Sequence, residues 1–407
     1  MEQVTCCIVG CGPAGAVLGL LLAHAGVDVL VLEKHADFLR DFRGDTIHPS
    51  TQRLIDELGL GEEFARLPLR RVSRLSLVAD DGAYPVADFS LLPGPYASMV
   101  FLPQWDFLDF LTDRAEQSPC FTLRRRAEVT GLLCAGSRIA GVRYRDPDGT
   151  AHDVLADLVV AADGRTSVVR RAAGLTVREF GAPIDVPWFR LPRRADDGPL
   201  GAFGRITSGR FLAFIDRGDY WQIAFVVPKG GAGALRAQGL DAFRRTVADL
   251  VPALADRVEG IASWDDVKLL DVRVDRLRRW WRPGLLCIGD AAHAMSPVGG
   301  VRINLAIQDA VAAANRLAVP LREKRVRTSD LAAVQARRLL PTAVTQRVQR
   351  TVQQRFLEPT ISGVRRGDAP AAVRLLARVP PLRALPALAV GYGVLPEHVA
   401  PHLRPAG

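Results

Sequence analysis

The chain has 407 residues, a formal net charge of +9 and a pI near 9.7. This length allows one large core or two domains that share a cleft. The basic residues are nearly all arginine and are scattered along the sequence. The densest basic runs, at 124–126 and 322–327, lack the interleaved aromatic residues on which nucleic-acid bases stack. The composition therefore argues against a nucleic-acid-binding protein.

The cysteine pattern indicates a reduced, cytoplasmic chain without a metal site. The six cysteines are at positions 6, 7, 11, 120, 134 and 287. None belongs to a Cys-x-x-Cys pair or lies near a histidine at metal-ligand spacing. The apolar N-terminus lacks the basic region of a signal peptide, and no later segment approaches the length of a membrane span.

The first 33 residues predict a βαβ unit. Residues 4–9 read as a buried strand, 13–25 as a helix rich in Ala and Leu, and 27–33 as a second strand. The turn between the first strand and the helix reads GCGPAG at residues 10–15. In this context the glycines are typical of a site that binds a dinucleotide at the N-terminus of a helix.

Each glycine of the turn has its own expected role, and an acidic residue completes the motif. Gly10 permits the tight turn, Gly12 lets backbone amides reach a pyrophosphate, and Gly15 lets the helix pack closely on the strand. Glu33, at the end of the second strand, is expected to accept hydrogen bonds from a ribose. The residues assigned to the dinucleotide here are Gly10, Gly12, Pro13, Ala14, Gly15, Glu33 and Lys34.

The middle of the chain predicts two amphipathic helices and then a change to β structure. Helices are expected at 50–59 and 104–117, and paired strands at 138–145 and 153–161. Aromatic runs with a period of two between residues 184 and 227 predict an antiparallel sheet. One side of this sheet is expected to line a substrate pocket, so at most half of its polar and aromatic residues can touch a substrate. The candidates are Trp188, Arg190, Tyr220, Trp221 and Gln222.

Two further motifs follow predicted strands. Residues 159–170, VVAADGRTSVVR, carry Asp163-Gly164 after a strand, and residues 285–309 carry Gly289-Asp290 after another. A helix is predicted at 240–256, and the chain from residue 330 is predicted to be mostly helical. A carboxylate after a strand can accept a hydrogen bond from a sugar hydroxyl, and amides after Pro297 at a helix N-terminus favour negative charge.

These motifs, in this order over residues 4–320, closely resemble the aromatic-hydroxylase family of FAD-dependent monooxygenases, which is typified by para-hydroxybenzoate hydroxylase. The resemblance implies that the Asp-Gly segment contacts FAD and NAD(P)H, and that the Gly-Asp segment holds the ribityl chain of the flavin. It also implies that Arg43 contacts the pyrophosphate side of FAD, that Gln104 holds this cofactor, and that the backbone at Val129 contacts its adenine. The residues it assigns to the later part of the FAD site are Asp163, Gly289, Asp290, Pro297, Gly300, Val301, Arg302, Ile303 and Asn304.

Histidines near these motifs are not assigned a catalytic role. His293 is expected to be structural. His48, in the loop after Arg43, either borders the active site or is solvated, and a lone histidine in a loop is more often solvated. The family shares no universal catalytic side chain, so the catalytic residues stay unknown. The chain also lacks a Trp-x-Trp-x-Ile-Pro motif, which argues against a flavin halogenase.

Arg302 departs from the family pattern. Relatives usually have glycine at this position, in a loop that reads Pro-x-Gly-Gly-x-Gly-x-Asn, whereas this chain reads PVGGVRIN at 297–304. Either the backbone of Arg302 has a negative φ and its guanidinium points to solvent, or the side chain enters the flavin space. In the second case it would pair with the charge of the reduced flavin or obstruct the cofactor.

The expected fold is a discontinuous Rossmann-like α/β FAD-binding domain, an inserted antiparallel β-sheet substrate domain and a helical C-terminal region. The FAD-binding domain comprises residues 1–75, 98–175 and 268–320, the substrate domain 76–97 and 176–267, and the C-terminal region 321–407.

The resemblance implies a monooxygenase that uses FAD, NAD(P)H and dioxygen to hydroxylate or epoxidise a hydrophobic aromatic or polyketide-like molecule. The alternatives are an FAD-dependent dehydrogenase or cyclase, and a flavin-holding or substrate-binding protein without redox turnover. The sequence does not indicate the oligomeric state.

Overall fold

The computed structural model of the protein describes residues 1–39, 46–197, 201–207, 209–364 and 367–404. The strands are β1 Glu2–Val9, β2 Val29–Leu32, β3 Thr46–Ile47, β4 Arg70–Val72, β5 Arg74–Ala79, β6 Gly82–Asp88, β7 Met99–Phe101, β8 Phe121–Arg124, β9 Glu128–Ala135, β10 Arg138–Arg145, β11 Ala151–Ala161, β12 Val177–Glu179, β13 Ile184–Pro192, β14 Ala202–Thr207, β15 Arg210–Asp216, β16 Tyr220–Pro228, β17 Lys268–Leu270, β18 Asp275–Leu277, β19 Trp281–Arg282 and β20 Leu285–Cys287. The α-helices are α1 Pro13–His24, α2 Pro49–Glu57, α3 Gly61–Ala65, α4 Gln104–Ala115, α5 Val168–Ala172, α6 Ala232–Ala237, α7 Leu240–Leu250, α8 Arg302–Arg322, α9 Thr328–Val352, α10 Glu358–Ile361, α11 Ala371–Arg378 and α12 Ala384–Gly391.

The first sheet has a parallel core in the order β20-β11-β1-β2-β8. Strands β9 and β10 extend it as an antiparallel pair beside β11. The predicted βαβ unit is confirmed: β1, α1 and β2 follow one another, and α1 and α8 pack side by side on the sheet. In a parallel sheet the carboxyl ends of the strands share one edge. The motifs that follow β1, β2, β11 and β20 therefore meet at that edge.

A second, seven-stranded sheet has the order β17-β13-β16-β15-β14-β5-β6. Its outer face, with Phe189 and Phe225, packs against Phe243 of α7. The single helix expected at 240–256 is wrong, because α7 ends at Leu250 and a 3₁₀ segment, Pro252–Gly260, follows. Pro252 lacks the N–H that would continue the α-helical hydrogen bonds.

The C-terminal part is helical, as predicted, and it contacts both sheets. Helix α9 lies against α8, and three glutamines of α9 and the π-helical turn after it reach residues 294–298. The side-chain amide of Gln349 donates to the carbonyls of Ser296 and Val298, at 2.9 and 2.8 Å. Gln353 donates to the Ser296 hydroxyl at 2.9 Å. These contacts fix the loop that precedes α8.

The architecture is the mixed α/β fold expected from the sequence. The division into an FAD-binding domain, a substrate domain and a C-terminal region stays a prediction. Among the helices of the described residues, none combines the length and the apolar character that a bilayer span requires.

Candidate cofactor-binding site

A cavity of about 760 Å³ runs along the carboxyl edge of the parallel sheet. It is lined by segments that follow β1, β2, β11 and β20, together with parts of α4, β9 and α8. The predicted cofactor residues that line it are Gly10, Gly12, Pro13, Ala14, Glu33, Lys34, Gln104, Val129, Asp163, Asp290, Arg302 and Ile303. Residues from four separate parts of the sequence thus meet at one cleft.

The three glycines of the first turn differ in their surroundings. Gly10 has a φ of +95°, and a Cβ there would lie 2.7 Å from the carbonyl oxygen of Ala162. A Cβ on Gly15 would lie 1.9 Å from the carbonyl oxygen of Gly10, so helix and strand can pack this closely only without a side chain. A Cβ on Gly12 would meet no atom within 4 Å and would project into open space. This space, at the N-terminus of α1, fits a pyrophosphate.

Glu33 braces the glycine turn as well as lining the cavity. One of its carboxylate oxygens accepts a hydrogen bond from the backbone N–H of Cys11, at 3.0 Å. The other accepts from the backbone N–H of His35, also at 3.0 Å. These bonds fix the carboxylate at the end of β2, on the lining of the cavity.

Asp163 presents an unsatisfied oxygen at the end of β11. Its Oδ2 accepts from the backbone N–H of Val169, at 3.2 Å. Its Oδ1 is buried and has no hydrogen-bond partner among the described residues. Burial raises the pKa of this carboxyl, although hydrogen bonds from Ser167 and from Val169 act in the opposite direction. A buried acceptor without a partner beside a cavity is what a ligand hydroxyl would satisfy.

Asp290 and Arg302 face each other across the same cavity. The Nε of Arg302 lies 3.7 Å from Oδ2 of Asp290, and both side chains are about 20% exposed. Arg302 begins α8 and is not among the described residues with a positive φ. Of the two alternatives for Arg302, the backbone agrees with the first, whereas the side chain lies on the cavity lining beside Asp290, as in the second.

Other predicted residues lie outside the lining of this cavity. They are Gly15, Gly289, Pro297, Gly300, Val301 and Asn304. Arg43 lies outside the described residues. The assignment of these positions to the cofactor stays a prediction.

Asn304 has a structural role in this arrangement. Its Oδ1 accepts from the backbone N–H of His48, at 2.9 Å, and from the hydroxyl of Thr51, at 2.7 Å. Its amide donates to the carbonyl of Thr46, at 3.0 Å. The side chain therefore ties the first turn of α8 to the segment between β3 and α2.

His293 belongs to a buried ionic network, in agreement with the structural role expected for it. Its Nε2 lies 2.5 Å from Oδ2 of Asp309, which also accepts from the backbone N–H of Gly289. Arg338 reaches the other oxygen of Asp309, at 2.9 Å, and extends to Glu397. Burial alone would raise the pKa of Asp309, but His293 and Arg338 together lower it below its ordinary value. This network supports the turn that carries Asp290.

His48 is buried, so the solvated alternative for this histidine is wrong. Its Nδ1 lies 2.6 Å from the carbonyl oxygen of Val390 in α12, and a carbonyl can only accept, so Nδ1 carries the proton. Burial lowers the pKa of His48 from 6.5 to about 4, although the carbonyls of Val390 and Gly300 favour the charged form. The ring is therefore neutral at pH 7 and links the C-terminal region to the loop before α8.

Three arginines on the cavity were missed by the sequence reasoning: Arg165, Arg171 and Arg273. Arg165 follows the Asp-Gly motif directly and donates to the carbonyl of Asp271, at 3.0 Å. Arg273 pairs with the carboxylate of Asp271, at 2.8 Å. The position of Arg165 directly after the Asp-Gly motif was a sequence signal that it lies on the cavity. Arg273 lies in a loop about a hundred residues further along the chain, and no sequence signal indicated its position.

The arrangement fits a dinucleotide such as FAD. It combines an open glycine cradle at a helix N-terminus, carboxylates at the ends of two neighbouring strands, and basic side chains that suit phosphates. Among the described residues, no cluster of His, Cys, Asp and Glu could hold a metal ion.

A family model described as "FAD binding domain" matches residues 3–348. The chain is 36% identical over 382 residues to 6-methylpretetramide 4-monooxygenase of Streptomyces rimosus, covering 93% of this chain and 90% of that protein. It is 27% identical to dialkyldecalin synthase of Streptomyces rugosporus, over 75% of this chain and 63% of that protein. The solved structure of OxyS anhydrotetracycline hydroxylase from Streptomyces rimosus superposes with a TM-score of 0.76 at 23% identity, covering 96% of this chain and 76% of that one, which shows the shared fold.

Proposed function

The chain belongs to the FAD-binding domain family, and from this premise we propose that it is a monooxygenase that hydroxylates an aromatic, polyketide-like small molecule with FAD, NAD(P)H and dioxygen. The observation that carries this proposal is the identity of 36% with 6-methylpretetramide 4-monooxygenase over nearly the full length of both proteins. The chain is an FAD-dependent oxidoreductase that acts on a small molecule. The hydrophobic, polycyclic nature of that molecule is the part that we infer.

FAD, once bound and reduced by NAD(P)H, supplies the activation of dioxygen that inserts one oxygen atom into the substrate. The protein contributes binding, orientation and electrostatics. Gly12 and the amides of the α1 N-terminus would hold the pyrophosphate, and Glu33 would accept from the ribose. Asp163 and Asp290 would accept hydrogen bonds from hydroxyl groups of the cofactor. The unsatisfied Oδ1 of Asp163 is the strongest support for this role.

The arginines on the cavity suggest where the reductant binds. Arg165 and Arg273 are both tied to Asp271, so their guanidinium groups are held near each other on one side of the cleft. Arg171 also lines the cavity. A group of guanidinium ions beside the Asp-Gly segment suits the phosphates of NAD(P)H. We therefore assign the transient binding of NAD(P)H to this side.

The substrate would lie on the inner face of the seven-stranded sheet, which is the face opposite α7. Of the candidates on that sheet, Trp221 is excluded, because its ring packs with Phe214 in the outer core and its Nε1–H donates to Asp197. Trp188 packs with the cluster on the opposite face, which also includes Val298 from the loop before α8. A cytoplasmic location is part of the proposal, because all six cysteines are free and NAD(P)H is available there.

A cyclase without net oxygen transfer is the second candidate, favoured by the similarity to dialkyldecalin synthase. The lower identity and coverage of that relative make it the weaker of the two. A flavin-holding or substrate-binding protein without turnover has no observation that favours it.

The experiment that separates these functions uses purified protein reconstituted with FAD. With 6-methylpretetramide, NADPH and air, the proposal predicts consumption of NADPH and a product that contains one more oxygen atom, detected by mass spectrometry. An isomeric product formed without NADPH would instead identify a cyclase, and a bound but unchanged substrate would identify a binding protein.

A further inference from the structure

Asp185 is a buried carboxylate at the start of β13 in the seven-stranded sheet. The residue is 5% exposed and lies outside the lining of the cavity. Its Oδ1 accepts hydrogen bonds from the backbone N–H of Val272, at 3.0 Å, and from Nζ of Lys229, at 2.8 Å. Its Oδ2 accepts from the backbone N–H of Gly230, at 2.9 Å. These three donors compensate the burial of a charged group and hold the carboxylate in place.

The loop that follows β17 is fixed by this carboxylate and by Lys229. Asp185 accepts from the N–H of Val272, and Nζ of Lys229 donates to the carbonyl of the same residue, at 2.8 Å. Val272 is 2% exposed, so both of its backbone polar groups depend on these two side chains rather than on water. The conformation of the loop at 271–273 is therefore set from the seven-stranded sheet.

This loop carries residues that line the cavity. Asp271 and Arg273, on either side of Val272, both belong to the lining. The carbonyl of Asp271 accepts from Arg165, at 3.0 Å, and its carboxylate accepts from Nε of Arg273, at 2.8 Å. Hydrogen bonds from Lys229 and from Arg273 lower the pKa of Asp271, although burial acts in the opposite direction. The positions of both guanidinium groups thus depend on the position of one loop.

The buried end of this network determines its geometry. The side chains of Arg273 and Asp271 are 58% and 48% exposed, so the ion pair between them contributes little by itself. The side chain of Asp185 is only 7% exposed. Its removal would leave the buried N–H of Val272 without an acceptor, which costs free energy unless the loop moves. Displacement of the loop is therefore the expected result of losing Asp185.

We propose that Asp185 is a positioning residue for NAD(P)H, because it fixes the loop at 271–273 and so holds the guanidinium groups of Arg165 and Arg273 toward the phosphates of the reductant. This inference rests on the proposed function, which assigns NAD(P)H to this side of the cavity. Asp185 does not touch the reductant and acts only through the loop. Guanidinium groups bind phosphates through paired N–H donors, so a small displacement of the loop misaligns both of them.

The test measures the binding of NADP⁺, which carries the same phosphates as NADPH but does not reduce FAD, to the FAD-loaded protein by equilibrium dialysis. Asp185→Ala should raise the dissociation constant of NADP⁺ by about tenfold, as expected for the loss of one hydrogen bond to a charged group. Asp185→Asn keeps one oxygen for the N–H of Val272 and should give an intermediate constant. In both variants the KM for NADPH should rise, while kcat at saturating NADPH and the dissociation constant of FAD should not change.

The matched control is Asp88→Asn. Asp88 is a buried carboxylate of β6 in the same sheet, where it accepts from Arg74 at 2.9 Å. This substitution should leave the binding of NADP⁺ at the value of the wild type, whatever its effect on the melting temperature. The control therefore separates positioning of the loop from a general loss of stability in the sheet.

A combination of variants shows whether Asp185 acts through the two arginines. In protein that carries Arg165→Gln and Arg273→Gln, Asp185→Ala should not weaken the binding of NADP⁺ further, because the groups that it positions are already absent. A further loss in that background, or no loss in the parent protein, would overturn this inference while leaving the assignment of NAD(P)H intact. Unchanged binding of NADP⁺ in the double arginine variant would overturn that assignment and this inference with it.

Discussion

Replacing Arg302 by glycine should tighten the binding of FAD. The guanidinium lies in the cavity, with its Nε 3.7 Å from Asp290, and both side chains are about one-fifth exposed. Asp290 is the carboxylate that we expect to accept from the cofactor, so FAD must compete with Arg302 for it. The substitution removes this competitor and also the bulk of a long side chain.

The expected size of the effect follows from the exposure of the ion pair. A pair of this kind contributes about 0.2 to 1 kcal/mol, so its removal should lower the dissociation constant of FAD by up to about fivefold. The fold itself should be little affected. Glycine is a poorer helix former than arginine, but Arg302 is the first residue of α8 and places a positive charge at the positive end of the helix dipole.

The assay is a titration of the apoprotein with FAD, followed by quenching of flavin fluorescence under identical buffer conditions. Arg302→Lys is the matched control, because it keeps the charge near Asp290 and should bind FAD nearly as the wild type does. An equal or larger dissociation constant for Arg302→Gly would show that Arg302 does not compete with FAD for Asp290. A larger constant would show that the guanidinium supports the bound cofactor.

Three further predictions test the site. Gly12→Val should abolish most FAD binding without changing the melting temperature of the apoprotein, because a side chain there meets only open space; retained FAD would contradict the cradle. Asp290→Ala should weaken FAD binding at unchanged apoprotein stability. His293→Ala should instead lower the free energy of unfolding in urea by about 1 to 3 kcal/mol, since Asp309 loses a buried partner. Equal effects of the two substitutions on FAD binding would contradict these roles. Because the pKa of His48 is lowered to about 4, the unfolded state binds an extra proton as the pH falls from 6.5 to 4. Over that range the free energy of unfolding of the wild type should fall by about 3 kcal/mol more than that of His48→Asn. Parallel curves of the free energy of unfolding against pH for the two proteins would contradict this.

The part of the site that is local in sequence could be predicted. The glycines at 10, 12 and 15 and the acidic residue at 33 belong to one predicted βαβ unit, and their spacing in that context indicates a dinucleotide site. The roles of Asp163 and Asp290 are implied by the family resemblance, and the structure places both residues on the lining of the same cavity. The helical character of the C-terminal region also followed from composition and period.

The remainder depends on contacts between distant residues. His48 is buried by Val390, which lies 342 residues further along the chain, and no local pattern carries that information. Arg273 joins Arg165 only because both reach Asp271. The contacts of Asp185 with Lys229 and Val272 join parts of the chain that are 44 and 87 residues apart.

The most direct test of the monooxygenase assignment is the origin of the oxygen atom in the product. Protein reconstituted with FAD is incubated with NADPH and 6-methylpretetramide under ¹⁸O₂, and the product is analysed by mass spectrometry. We predict that one atom of ¹⁸O enters each product molecule and that labelling requires both FAD and NADPH. A product without the label, or one formed equally well without FAD, would contradict it.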